Sequence, residues 1–234
     1  MGTMPQIFSR ATAPPVANFS FVDFATGKGV VEFFLGATSN QNRMSNTAFY
    51  GNQIYHKGSS VDSGTFTKSV DVDFDLEFLK TLIVEGEAIV TVPGMLRAAG
   101  GGGSPGFQFY PVVKIRHWDG TTETDLVEQT GTTYVPGTMG TDGNAWILFS
   151  VDLNIPKQKF KIGETLRVTI ELWGRRTSTS AFQCILAADP KGRVINATLE
   201  ERYDVGTVAD IDVTSGSAWF STIATAQIPF KTDV

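Results

Sequence analysis

The stretch from Trp146 to Trp173 decides the fold: Trp146–Ile155 reads WILFSVDLNI, Pro156–Glu164 reads PKQKFKIGE and Thr165–Trp173 reads TLRVTIELW. In the first run Ile147, Phe149, Val151, Leu153 and Ile155 share one side. In the second run Leu166, Val168, Ile170 and Leu172 do the same, with Arg167, Thr169, Glu171 and Trp173 opposite. A repeat of two marks a strand with one buried face, because successive side chains of an extended chain point to opposite sides. Pro156 follows the first run, where its missing N–H harms no ladder. Gly163 stands where the loop must bend back. The spacing predicts two strands, adjacent in one sheet, at the centre of an all-β core.

Composition agrees with that reading. The chain has 234 residues, 41% of them apolar and 18% charged, which suits a globular protein with a sizeable core. The 24 glycines and 17 phenylalanines favour strands joined by tight turns. A net charge of −5 offers no cationic face for a phosphate backbone, so no nucleic-acid partner is expected. The single cysteine, Cys184, lies in the alternating run AFQCILA and reads as a small buried hydrophobe. It forms no intrachain disulfide and no cysteine-rich metal site. No export signal is visible at the start, and no apolar run approaches the ~18 residues of a membrane helix. The expectation is a soluble chain, made without export and with no membrane partner.

Residues 1–17 have no periodicity and contain Pro5, Pro14 and Pro15, the composition of an extended arm. The natural start is either Met1 or Met4. Residues 18–234 read as a single β-sandwich domain. FSFVDF (Phe19–Phe24) and GVVEFFLG (Gly29–Gly36) are predicted strands around a tight turn, with 37–64 polar and irregular. From Val70 the alternation is strict: Val70, Val72, Phe74, Leu76 and Phe78 oppose Asp71, Asp73, Asp75 and Glu77. GEAIVTVPG (86–94), FQFYPVVKIRHW (107–118) and TTETDLVEQT (121–130) continue the series, with Asp119-Gly120 closing a hairpin. Four glycines, Gly100 to Gly103, form a surface loop. ADPKGRV reads as a turn, ATLEERY as a short helix at most, and SAWFSTIATAQIPF as one long last strand. Ten to twelve strands with turns at this spacing predict an antiparallel β-sandwich, a jelly roll, with an N-terminal arm.

Chemistry-bearing constellations are sparse. The two histidines, His56 in a polar loop and His117 at a strand end, are embedded in no nucleophile motif and have no zinc-ligand spacing. The acids at 71, 73, 75 and 77 lie too far apart along one strand for a cation loop and read as a solvated outer face. Glu123, Asp125, Glu164 and Glu171 are carboxylates of the type glycosidases pair, but any β-protein offers similar sets. Trp118, Trp173 and Trp219 are candidates for a sugar-stacking platform. Trp173, on the polar side of its strand, reads sooner as packing under a neighbouring loop or against another subunit. No catalytic, metal or cofactor site is expected.

Five stretches in order carry a resemblance: DFATGKGVVEFF (Asp23–Phe34), KIRHWDG (Lys114–Gly120), FKIGETLRVTIELWG (Phe160–Gly174), ADPKGR (Ala188–Arg193) and QIPFKTDV (Gln227–Val234). Together the chain resembles jelly-roll virion structural proteins of tailed bacteriophages, of the capsid-decoration, cement or minor-capsid kind. The resemblance implies a non-enzymatic virion component that forms homo-oligomers, often trimers, and binds other capsid proteins. It also makes the arm a natural anchor, so Pro5, Ile7, Phe8, Pro14, Pro15, Val16 and Trp173 are the candidate assembly contacts. The alternative is a carbohydrate- or receptor-binding module, with a glycan as partner.

Overall fold

The computed structural model describes residues 29–38, 41–51, 53–98, 106–136, 144–177, 181–192, 195–196, 219–220 and 223–231. Strands alone make up the regular structure of these residues. They are β1 (Gly29–Ala37), β2 (Asn42–Ser45), β3 (Tyr55–Val61), β4 (Thr67–Glu77), β5 (Leu82–Ala98), β6 (Phe107–Trp118) and β7 (Glu123–Thr130). The series continues with β8 (Asn144–Phe160), β9 (Thr165–Arg176), β10 (Phe182–Ala187), β11 (Ile195–Asn196), β12 (Trp219–Phe220) and β13 (Ala224–Lys231).

The alternation of apolar residues builds two layers. In the first, β5 pairs β8 along nearly its whole length, and its other edge is shared by β13 and β10. β13 continues to β1, and β10 to β3. The second layer runs β4-β9-β6-β7. Short β2 links the layers, pairing β1 and touching β4 through one parallel bridge, Arg43↔Asp75. All other pairings are antiparallel, and the result is a β-sandwich of jelly-roll type. Phe74, Phe109, Val113, Ile115, Val168 and Ile170 from one layer meet Val84, Val90, Val92, Phe149 and Val151 from the other in one apolar cluster. Each such side chain contributes roughly 1.5–3 kcal/mol by leaving water. Gly94 makes room for this packing, since a Cβ there would lie 2.9 Å from the Phe109 ring and 3.0 Å from the Phe149 ring.

Prolines fall where the ladder changes partner. Pro93 lies between Thr91, paired with β13, and Gly94, paired with β10. Pro156 and Pro229 occupy irregularities on the two sides of Gly86, whose φ of 121° few other residues adopt. The bulge accommodates Pro156, so β8 runs through it to Phe160 and does not stop at Ile155 as expected.

Three further expectations are corrected. The strands of the Trp146–Trp173 stretch are not neighbours: β8 pairs β5, whereas β9 lies between β4 and β6. Alternation identifies a buried face but not the strand alongside it. Residues 37–64 contain β2 and β3, whose polar, short runs have little periodicity to reveal them. The last apolar segment is two elements, β12 and β13. Other readings hold: β6 and β7 form a hairpin, Gly163 turns with φ 83°, and Gly192 closes the Asp189 turn with φ 63°. The arm, Phe19–Phe24, Gly100 to Gly103 and ATLEERY lie outside the described residues.

Candidate functional site

The two outer faces of the sandwich differ in kind. On the β4-β9-β6-β7 face, register stacks Asp75, Arg167, Arg116 and Asp125 in one cross-strand row. Asp73, Thr169, Lys114 and Glu128 form the next row. Opposite charges on neighbouring strands lie within reach of each other. Arg167 grips Asp75 with two bonds, Nε to Oδ1 at 2.7 Å and Nη2 to Oδ2 at 3.0 Å, and donates from Nη1 to Glu123 Oε1 at 2.7 Å. The Asp75 bonds hold the guanidinium firmly charged, raising its pKa. Arg116 Nη1 donates to Glu123 Oε2 at 3.1 Å, and Thr169 Oγ1 donates to Asp73.

Glu171 is the centre of this face. Only 3% exposed, it accepts from Trp173 Nε1 at 2.7 Å, while Lys114 Nζ and Lys68 Nζ lie 3.2 and 3.3 Å from its Oε1. Burial pushes its carboxyl up, but the Trp173 and Lys114 bonds outweigh that and leave it below its ordinary value. The acids at 71, 73 and 75 are thus answered by Lys68, Thr169 and Arg167, and the face reads as paired charge more than free solvated carboxylate.

Trp173 belongs to an aromatic group at one end of this face. It is the register partner of Tyr110, whose ring meets the Phe66 edge at 4.7 Å. The Arg175 guanidinium lies 4.7 Å over the Phe66 ring and its Nε donates to Gln108 Oε1 at 2.8 Å. Trp118 is half-buried at the far end of β6, and the Trp219 side chain lies outside the described residues.

The other outer face, on β5 and β8, is apolar at one end. Register sets Trp146 beside Met95, Leu148 beside Pro93, Ser150 beside Thr91 and Asp152 beside Ile89. Leu148 is 54% exposed, Trp146 45% and Ile89 39%.

Neither histidine is arranged for catalysis. Gln158 Nε2 donates to His117 Nδ1 at 3.1 Å, so Nε2–H donates to Glu164 Oε2 at 2.8 Å. Both ring nitrogens are thereby committed to joining β6, β8 and the β8–β9 turn, whereas a triad base keeps one for its nucleophile. His56, placed by sequence in a loop, lies in β3 with its ring edge towards Phe74; burial lowers its pKa to about 4. Buried Cys184 is the small hydrophobe expected, its thiol pushed up to about 12 by desolvation. The carboxylates Glu123, Asp125, Glu164 and Glu171 are each engaged by Arg116, Arg167, His117 or Lys114. Among the described residues no three His, Cys, Asp or Glu side chains gather as metal ligands, and no helix is long and apolar enough to cross a membrane.

Sequence reasoning singled out Trp173 but not its neighbours, because Lys68, Tyr110, Lys114 and Glu171 converge only through strand pairing. Pro5, Ile7, Phe8, Pro14, Pro15 and Val16 lie outside the described residues.

No family model matches the chain, and no curated protein matches its sequence. Solved structures resemble its arrangement of strands loosely. A CocE/NonD family hydrolase from Staphylococcus aureus has 8% identity and a TM-score of 0.45, covering 88% of this chain and 37% of its own. An aminopeptidase from a marine-sediment Thaumarchaeota archaeon has 8% identity and a TM-score of 0.49, covering 86% and 36%. The infectious bursal disease virus VP2 subviral particle has 8% identity and a TM-score of 0.23, covering 88% and 41%. The chain therefore spans about two fifths of the length of these structures or less, and no activity follows from likenesses this loose.

Proposed function

We propose that this chain is a non-enzymatic structural protein of a phage particle, which decorates or stabilises the capsid as a homo-oligomer. The observation that carries the reading is the contrast between the two outer faces. The β4-β9-β6-β7 face satisfies its own charges, while β5 and β8 expose Leu148 and Trp146 beside Pro93 and Met95, with Ile89 exposed two rows further on across from Asp152. Apolar groups grouped on one face beside a polar margin are the anatomy of an assembly surface. The resemblance of Phe160–Gly174 and its companion stretches to virion structural proteins supports the same reading. Under it, the segment Pro5–Val16, with Ile7 and Phe8, anchors on a neighbouring subunit.

Light scattering of the isolated protein should report an oligomer, a trimer by the resemblance. Mass spectrometry of purified virions should find the chain at high copy number. A monomer absent from particles overturns the proposal; unchanged particle incorporation after deletion of residues 1–17 overturns the role of the arm.

A specific observation favours a second reading, a carbohydrate-binding module. Phe66, Tyr110 and Trp173 share one face near Gln108 and Arg175, which is the combination of stacking surface and polar groups that sugars use. Glycan-array binding abolished by Trp173→Ala would promote it over the first.

A further inference from the structure

β3 is held in a ladder along one edge only. Among the described residues β10 is its one ladder partner, and that ladder breaks between Gln183 and Ile185. At the break the Cys184 N–H donates to Ser69 Oγ of β4 at 3.4 Å, and Ser69 Oγ donates to Ser59 O of β3 at 2.6 Å. Gly58 permits this approach, since a Cβ there would lie 2.3 Å from Ser69 Oγ. β3 thereby closes the side of the sandwich between β10 and β4.

His56 lies on this strand as the register partner of Leu186, its ring edge-on to Phe74 of β4 at 5.9 Å. Leu186 and Phe74 belong to the central core, so the imidazole points inward between the layers. Its Nε2 is sealed from solvent and, among the described residues, meets no hydrogen-bond partner. Its chain neighbours Tyr55 and Lys57 point to the opposite face. Lys68, Asp71, Asp73, Asp75 and Glu77 of β4 alternate away from Phe74, and Arg167, Glu171 and Arg175 of β9 lie on the same outer face. β10 carries no charged side chain, and its Cys184 is a buried, neutral thiol. Beyond its end, Asp189 accepts the Lys191 N–H of its own turn, and Arg43 of β2 lies over the Phe49 ring.

A neutral imidazole fits this place and an imidazolium does not, because a buried charge without a partner is costly. We propose that β3 is an acid-operated flap, in which proton uptake by His56 favours a lifted strand and opens the side of the sandwich beneath it. The broken ladder lets β3 lift while β10 keeps its pairing to β5. Buried Tyr55 and Val61 keep the flap shut at neutral pH. Burial holds the His56 ring down at about 4 in the closed state, against 6.5 for a solvated ring. The closed chain therefore binds fewer protons than the open one. Closure is at full strength above the solvated value and weakens as pH falls towards the closed one.

Cys184 reports the opening, since its buried thiol adjoins the break and is the chain's one cysteine. The full chain is treated with dithiodipyridine, which labels thiols in acid and neutral solution alike. Each rate is divided by that of the urea-unfolded chain at the same pH. The normalised rate should rise roughly fiftyfold from about pH 7 to about pH 4.5. It should also respond to low urea far less steeply than global unfolding does. His56→Gln and His56→Leu, neither able to take up the proton, should flatten the rise. Should neither variant fold, amide hydrogen exchange of the wild-type chain decides: β3 should lose protection over the same range while β6 and β9 keep theirs. A rate indifferent to pH, an equal rise in the variants, labelling as urea-sensitive as global unfolding, or equal loss of protection in all strands overturns the proposal.

Discussion

The outer face of β4-β9-β6-β7 and that of β5-β8 cover the same core from opposite sides, yet they manage their exposed surface differently. The first places acids and bases in register across four strands, and Glu171 alone collects Trp173, Lys114 and Lys68. The second leaves Leu148, Trp146 and Ile89 facing outward. Substitutions on the first should therefore change stability, and those on the second should change association.

The largest effect is expected at Glu171. Glu171→Ala leaves the Trp173 N–H without its acceptor beneath neighbouring side chains and Lys114 with Glu128 alone. That should cost about 2 kcal/mol in denaturant unfolding. A loss near zero would mean that the face is ordinary solvated charge and the contrast false.

Acid should sharpen the same point. The Lys161 backbone N–H and His117 hold Glu164 below its ordinary value, and Glu171 is also depressed. A carboxylate with a lowered folded-state pKa contributes stability above its unfolded value and loses it as pH falls through the folded one. The melting temperature should thus decline as pH drops from about 5 to about 3. Glu171→Gln should decline less over that window, because one of the depressed carboxylates has gone.

Arg167→Lys comes next. A lysine cannot reproduce the two-bond grip on Asp75 while reaching Glu123, and a loss of about 1 kcal/mol is expected. Equal stability would show that point charge suffices there.

Least should happen to stability at Leu148. Leu148→Ser, alone or with Ile89→Ser, should leave unfolding within about 0.5 kcal/mol of wild type. Self-association measured by light scattering should nevertheless weaken roughly tenfold or more. Association unaffected by the double change would place the oligomer contact elsewhere.

Much of the fold was legible from residues alone. The alternation at Ile147–Ile155 and Leu166–Leu172 predicted the buried faces of β8 and β9, since extended backbone leaves a side chain only two directions. Asp119-Gly120 announced its hairpin, because the Asp119 carboxylate caps the N–H groups of Thr121 and Thr122 and Gly120 takes φ 99°. β2 and β3 escaped notice because short polar strands borrow their order from neighbours such as β1 and β10.

The candidate sites were less legible. Trp173 stood out by its side of the strand, but Glu171 looked like one carboxylate among many until Lys68 and Lys114 arrived from β4 and β6. Phe78 and Phe160 stand 82 positions apart in the chain, and their rings stack only because the folded sandwich brings the two turns together. By itself the sequence determined strand character, inward faces and tight turns, all consequences of local backbone geometry. The tertiary structure alone decided which strands are neighbours, separating β8 from β9 and joining β8 to β5. Period two is the same whichever strand lies alongside, and only closing the whole core chooses the partner.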